Sequence, residues 1–230
     1  GILTRKNVSS LPIVCSKITR LFFSLNFLVI MEAILLPESW NVDQILDNLD
    51  QHGFCIIDQA YSSHYTQRLV DECTMHLNEF RNAAIQNGVV SNIRSDHILW
   101  INENLDVAQQ HIKALQQLSQ TLNRAFYLGI KDVEAHFACY NAGEFYALHR
   151  DNPQGKNGRM ISTVYYLHEA WQAPWGGQLH LQDKNNQWHT IQPTPNRIVM
   201  FQSDLLHEVR ESKQQRLSIT AWLRNDQALL

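Results

Sequence analysis

Apolar residues recur at helical spacing over the first part of the chain and at strand spacing over the second. From Asn41, residues Val42, Ile45, Leu46 and Leu49 fall at i, i+3, i+4 and i+7, which predicts a helix ended by Gly53. FCIID (54–58) reads as a short strand. Residues 62–85 read as a second helix, with Tyr65, Leu69, Val70, Cys73, Leu77 and Phe80 on one side. A polar, Gly-containing stretch (86–96) reads as a loop, and ILWI (98–101) follows it. A third helix, 104–128, places Val107, Ile112, Leu115, Leu118, Leu122 and Phe126 on one face, with Gly129 at the expected stop.

After residue 132 short runs rich in β-branched and aromatic residues take over: 134–140, 160–167, 178–182, 187–192, 197–202 and 216–223. Turn-formers separate them, among them Asn152-Pro and Pro174-Trp-Gly-Gly. Helices first and many short strands afterwards predict an α+β fold. A double-stranded β-helix, or jelly-roll, core then occupies about 132–224, supported by N-terminal helices over about 41–130. No linker divides 31–230, which reads as one catalytic domain.

Composition changes this picture in two places. The 230 residues carry a net charge of -3, so nothing global points to nucleic acid, and four dispersed cysteines (Cys15, Cys55, Cys73, Cys139) read as reduced thiols. The charge is uneven, however. Residues 1–30 hold Arg5, Lys6, Lys17 and Arg20 and no acid, and run into the apolar stretch 21–30. That stretch is about half the ~20 residues a membrane-spanning helix needs, and no A-x-A-like cleavage site follows it. Met31 opens MEAILLPESW, which reads like a natural start. Residues 1–30 are therefore expected to be an upstream or engineered extension rather than a signal, a membrane-surface segment or a packing helix. No stable membrane association is expected.

Eleven histidines suggest metal chemistry, but His149-Arg-Asp151 alone is weak, since about one H-x-D is expected by chance from such a composition. With His207 it supplies two imidazoles and a carboxylate, the set that caps one face of iron(II) and leaves adjacent positions open. His52, His64, His76, His97, His111, His136, His168, His180 and His189 mostly read as surface or satisfied core side chains. The last strand adds weight. Alternation puts Leu217, Ile219, Ala221 and Leu223 on one face and Arg216, Ser218, Thr220 and Trp222 on the other. A cationic inner face requires an anion, because an unpaired buried guanidinium costs several kcal/mol. A dicarboxylate chelating iron at one end and bound by Arg216 at the other fits, and 2-oxoglutarate is the obvious candidate. The alternative is an ordinary edge-strand arginine.

With these residues in place the chain resembles the iron(II)- and 2-oxoglutarate-dependent dioxygenases, and within them the oxygen-sensing-type prolyl 4-hydroxylases and their bacterial relatives. The resemblance runs from about Asn92 to Trp222 through IRSDHILWI (93–101), ACY (138–140), HRDNP (149–153), GRMISTVYYL (158–167), GGQLHL (176–181), FQSDLLHEV (201–209) and RLSITAW (216–222). It implies that His149, Asp151 and His207 bind Fe(2+) and carry the catalysis. It also implies that Arg216 and Tyr166 hold the distal carboxylate of 2-oxoglutarate, with Tyr140 and Thr220 lining the co-substrate site. Arg159, and Arg94 with Asp96, are implied at the polypeptide-substrate mouth, Trp222 is implied to line the site, and the loop 82–96 is implied to fold over the substrate. On the residues alone, ordinary aromatic core is the alternative for the two tyrosines. Relative to the animal enzymes, the segment from Asp151 to Arg159 is one residue longer and 141–148 one shorter.

The implied activity is C4 hydroxylation of a prolyl residue in a protein, consuming 2-oxoglutarate and O2 and releasing succinate and CO2, with ascorbate in support. The expected partner is a protein with an exposed proline loop. Bacterial relatives act on elongation factor Tu, which makes a translation factor the first partner to try, and the expected location is the cytoplasm. Two other readings stay open at this point. One is the same chemistry on another side chain or a small molecule, and the other is a non-catalytic or zinc-binding jelly roll.

Overall fold

The computed structural model describes residues 36–83 and 93–226, which belong to one compact unit, Leu36–Leu230. The proposed leader, with Cys15 and Met31, lies outside the described residues, as does 84–92 of the predicted substrate loop. Helix α1 (Val42–His52) starts where the Asn41 side chain accepts from the Gln44 N–H, and ends where Gly53 turns left-handed at φ 79°. Strand β1 (Phe54–Ile57) follows, then α2 (Ser63–Met75), capped by the Ser62 hydroxyl. Helix α3 (Asp106–Phe126) is capped from a distance. The Glu72 carboxylate of α2 accepts from the Val107 and Ala108 N–H groups at 3.0 and 2.8 Å, placing negative charge on the helix N-terminus.

Two helix ends differ from the expected ones. The pattern 62–85 is not one helix: α2 stops at Met75, and a short 3₁₀ turn (Leu77–Glu79), closed by the His76–Glu79 contact, leads into β2 (Arg81–Asn82). Phe80 is still buried, but from extended backbone, where it stacks on Phe137. Helix α3 stops at Phe126, and Tyr127, not Gly129, takes the left-handed cap at φ 55°. The Asn123 side chain enforces this by bonding both the N–H and the carbonyl of Ile130, which closes the chain over 127–130.

The remaining strands are β3 (His97–Trp100), β4 (Asp132–Tyr140), β5 (Tyr146–His149), β6 (Arg159–Tyr166), β7 (Leu179–Gln182), β8 (Trp188–Ile191), β9 (Ile198–Gln202), β10 (His207–Val209) and β11 (Arg216–Arg224). They form two antiparallel sheets, a seven-stranded one in the order β1-β9-β6-β11-β4-β3-β2 and a four-stranded one, β5-β10-β7-β8. The fold is α+β with a jelly-roll core, as expected. β11 alternates as the pattern requires. Leu217, Ile219, Ala221 and Leu223 join α3 residues Leu115, Leu118 and Leu122 in the larger core. A second core lies on the other face, where Val164, Tyr166, Val199 and Phe201 of the large sheet meet Leu179, Leu181 and Ile191 of the small one. That inner face is where the chemistry collects. Among the described residues no helix is long and apolar enough to cross a membrane.

His111 of α3 is fully buried beside Tyr165, with its Nδ1 paired to the Tyr61 hydroxyl at 2.7 Å. Burial pushes its pKa down to about 3. The unfolded chain, with an ordinary value of about 6.5, therefore binds more protons between these limits, and stability falls as pH drops through that window. Lowering pH from about 6.5 to 5 removes about 2 kcal/mol through this residue alone. Urea unfolding at a series of pH values checks this: His111→Phe flattens the acid limb by one proton, and a wild-type profile already flat from pH 7 to 5 contradicts it.

Candidate active site

The two histidines of the triad face each other across a ladder. His207 on β10 pairs directly with His149 on β5, so both side chains leave the same face of the small sheet. Their ring centroids are 4.2 Å apart. Each Nδ1 is tied to a backbone carbonyl, His149 to Ala147 at 2.7 Å and His207 to Leu205 at 2.9 Å. Because a carbonyl only accepts, both rings carry their proton on Nδ1 and turn an Nε2 lone pair inward. There they meet Asp151, with its Oδ1 3.5 Å from His149 Nε2 and its Oδ2 3.6 Å from His207 Nε2. The three ligand-type atoms lie within 4.8 Å of one another and could hold a metal ion; among the described residues no other such cluster occurs.

Asp151 sits in the bend after β5, and its loop is stapled on both sides. Asn152 bonds the carbonyl of Arg159, and Asn157 bonds that of Asp151. The Ser162 hydroxyl, from β6 of the other sheet, donates to Asp151 Oδ2 at 2.6 Å and lies 2.8 Å from Ser203 Oγ. Burial works to raise the Asp151 carboxyl, yet the flanking His207 and His149 and the Ser162 hydroxyl hold it well below the usual carboxylate range. Burial, with His149 adding to it, brings His207 down to about 4. A carboxylate with two imidazoles whose Nε2 atoms face inward is a donor set suited to a divalent cation.

The second centre is Arg216, 1% exposed on the inner face of β11. Its register partner is Tyr140, and its guanidinium lies over the Tyr140 and Tyr166 rings at 5.0 and 4.9 Å. Its Nη1 reaches Ser218 Oγ at 3.5 Å, while Nε, Nη2 and the neighbouring Tyr166 hydroxyl are buried and make no close hydrogen bond among the described residues. Thr220 lies on the same face, in register with His136 and Val164. The facing sides of the two sheets thus hold a metal-type triad and a cation that lacks an anion among the described residues.

The predicted mouth residues are also brought close, through intermediaries. The Arg159 guanidinium lies 3.6 Å from the Trp222 ring centroid and bonds Glu134 at 2.8 Å. Glu134 in turn pairs with Arg224. Arg94 grips Asp96 in a fork of 2.7 and 3.0 Å and covers the Tyr146 ring, which stacks on His149 at 3.7 Å. Sequence reasoning overlooked Tyr146 and gave Ser162 no role. A small hydroxyl on the same face of β6 as Val164 and Tyr166 was the available signal for Ser162. It also left both triad histidines off any strand, whereas each lies on one. His168 reads in the sequence as an ordinary histidine, yet its Nε2 is buried and has no partner among the described residues.

Ser162→Ala removes the hydroxyl that orients Asp151 without changing the fold. Metal affinity, measured by competition with a chromogenic chelator, falls about ten- to a hundredfold. Unchanged affinity would remove Ser162 from the site.

Comparison with known proteins agrees with this geometry. Residues 135–224 match the family described as the 2OG-Fe(II) oxygenase superfamily. A solved prolyl-4-hydroxylase from Pseudomonas putida is 32% identical, with a TM-score of 0.75 over 81% of this chain and 100% of that one. A Trichoplax adhaerens prolyl hydroxylase, solved in complex with a hypoxia inducible factor oxygen degradation domain peptide fragment, is 26% identical with a TM-score of 0.75, over 92% and 94% of the two chains. Human Egl nine homolog 1 is 28% identical over 197 residues, which cover 79% of this chain and 46% of that protein. The match spans about half the length of human and mouse Egl nine homolog 1, and 82% of human prolyl hydroxylase EGLN3, which is 29% identical over 79% of this chain. The metal-type triad, the buried arginine and the full-length match to the bacterial enzyme together show that the chain belongs to the prolyl 4-hydroxylases of the 2OG-Fe(II) oxygenase superfamily.

Proposed function

We propose that the chain is an iron(II)- and 2-oxoglutarate-dependent protein hydroxylase acting at C4 of a prolyl residue. One observation carries the reading: the facing sides of the two sheets hold a carboxylate–bis-imidazole triad and a buried guanidinium that has no counter-anion among the described residues. His149, Asp151 and His207 hold the iron, and Arg216 with Tyr166 holds the distal carboxylate of 2-oxoglutarate, beside Tyr140 and Thr220. When bound, iron(II) with 2-oxoglutarate and O2 supplies the oxidising chemistry that puts oxygen into a C–H bond and leaves succinate and CO2.

The chain's own residues position and exclude. The Ala147 and Leu205 carbonyls fix the two tautomers, and Ser162 fixes one carboxylate oxygen. Tyr140 and Tyr166 keep water from Arg216, so its charge acts in a low-dielectric setting. Trp100, His136 and Trp222 run side by side at centroid spacings of 5.1 and 5.3 Å, an aromatic wall that suits an apolar prolyl ring lacking an N–H. Arg159 and the Arg94–Asp96 pair line the approach for the polypeptide. Because the Trichoplax relative is solved with a protein fragment, a polypeptide substrate is favoured over a small molecule. An exposed proline loop of elongation factor Tu is the first substrate to test. Among the described residues the buried thiols Cys55, Cys73 and Cys139 form no disulfide, in keeping with a reducing, cytoplasmic setting. Ascorbate is expected to sustain turnover.

Iron-loaded protein converts 2-oxoglutarate to succinate and adds 16 Da to a proline of its substrate, read by mass spectrometry. His149→Ala or Asp151→Ala abolishes both, and full turnover by both variants overturns the iron assignment. Arg216→Ala raises the 2-oxoglutarate concentration needed at least ~30-fold, the low end for removing one partner of a buried charge pair. A +16 Da product on a residue other than proline overturns the prolyl assignment while leaving the chemistry.

A further inference from the structure

We propose that His168 is a further co-substrate-binding residue, donating an N–H to the distal carboxylate of the 2-oxo diacid beside Arg216 and Tyr166. This inference rests on the oxygenase reading and names a residue of that same site.

The argument starts from unpartnered atoms. Among the described residues nine buried side-chain polar atoms have no hydrogen-bond partner, and four of them belong to Tyr166, His168 and Arg216. Buried polar groups are ordinarily paired, so a group of orphans close together marks a place where a ligand completes the bonding. His168 follows the end of β6, two residues after Tyr166 on extended chain, so the two side chains point the same way. Their rings lie nearly parallel, 16° apart with centroids at 6.5 Å. Leu167 between them turns to the opposite core. The Arg216 guanidinium covers the Tyr166 ring on the same face.

His168 is held in place rather than loosely exposed. It is 9% exposed, and Trp171 packs on its ring at 4.3 Å. The Trp171 indole N–H donates to the Gly176 carbonyl, which anchors that wall of the pocket. At Gly177 even a Cβ would meet Arg216 Cδ at 3.0 Å, Ser212 Oγ at 3.2 Å and Trp171 Cζ2 at 3.2 Å. The Gly177 backbone therefore packs directly against the Arg216 side chain and against Trp171, the residue that packs on His168.

The chemistry suits a carboxylate. Arg216, Tyr166 and a neutral imidazole protonated on Nε2 are all donors, and an ionised carboxylate is a pure acceptor with two oxygens. Burial, and then the Arg216 charge, push the His168 pKa down to about 3, so the ring stays neutral and adds a donor without adding a second positive charge beside Arg216.

The test compares two ligands that differ only at the distal end: 2-oxoglutarate, and 2-oxobutyrate, which lacks the second carboxylate. Binding of each to the iron-loaded protein is measured anaerobically by calorimetry. His168→Leu weakens 2-oxoglutarate about tenfold, the loss of one hydrogen bond to a charged group, and leaves 2-oxobutyrate unchanged. His168→Gln, which keeps an N–H donor, restores most of the loss. If the Leu variant does not fold, His168→Asn, whose amide is too short to reach, takes its place and shows the same selective loss. Unchanged 2-oxoglutarate affinity, or equal weakening of both ligands, overturns the assignment of His168 while leaving the oxygenase reading intact. A wild-type protein that binds neither acid overturns both.

Discussion

A guanidinium buried to 1% exposure with two unpaired nitrogens is the constraint around which this protein is organised. Moving such a charge out of water without a partner costs several kcal/mol, a large share of the stability of a single domain. Arg216 is tolerated because β11 is held along its length by β4 on one side and β6 on the other, and its outer face is locked into the helical core. The Tyr140 and Tyr166 rings offer π faces but no counter-charge. The fold thus stabilises an arrangement that only an anion completes, the condition under which binding energy goes into the site rather than into the scaffold.

The triad solves the opposite problem, a buried anion. Asp151 accepts from the Ser162 hydroxyl and faces the Nε2 atoms of two imidazoles, three groups fixed from different elements: β6, β5 and β10. The two sheets of the jelly roll therefore meet at one carboxylate. This explains why its loop is clamped by Asn152 and Asn157 instead of by apolar packing.

Much of this was legible in the sequence, for identifiable reasons. β11 has a strict two-residue period with apolar and polar faces, and its alternation alone put Arg216 and Trp222 inside. The helices α1 and α3 carry full apolar stripes. What was not legible depends on distant partners. β5 and β10 are four and three residues long, too short for a period, and are strands only because β10 pairs with both β5 and β7. The break of α2 at Met75 follows from the pairing of Arg81 and Asn82 with β3, since Leu77 and Phe80 continue the helical spacing. His168 resembled any other histidine until Tyr166, Trp171 and Arg216 were seen around it.

Charge balance connects the two centres. Leaving aside the paired Arg159–Glu134–Arg224 and Arg94–Asp96 groups, the triad contributes one anion, Asp151, and the far end one cation, Arg216. On the proposed assignment the metal brings two positive charges to the Asp151 end, and the 2-oxo diacid brings two negative charges, one to each end. The filled site is electrically neutral overall, as a low-dielectric interior favours. Either ligand alone leaves an excess of two charges, so each strengthens the binding of the other through the field of the site, with no conformational change required. A neutral imidazole at His168 preserves that balance, whereas a lysine or arginine there would upset it. The same reasoning explains why eleven histidines are compatible with a site that needs only two as ligands. Buried histidines in this protein serve as uncharged donors and acceptors, and their number says little about metal.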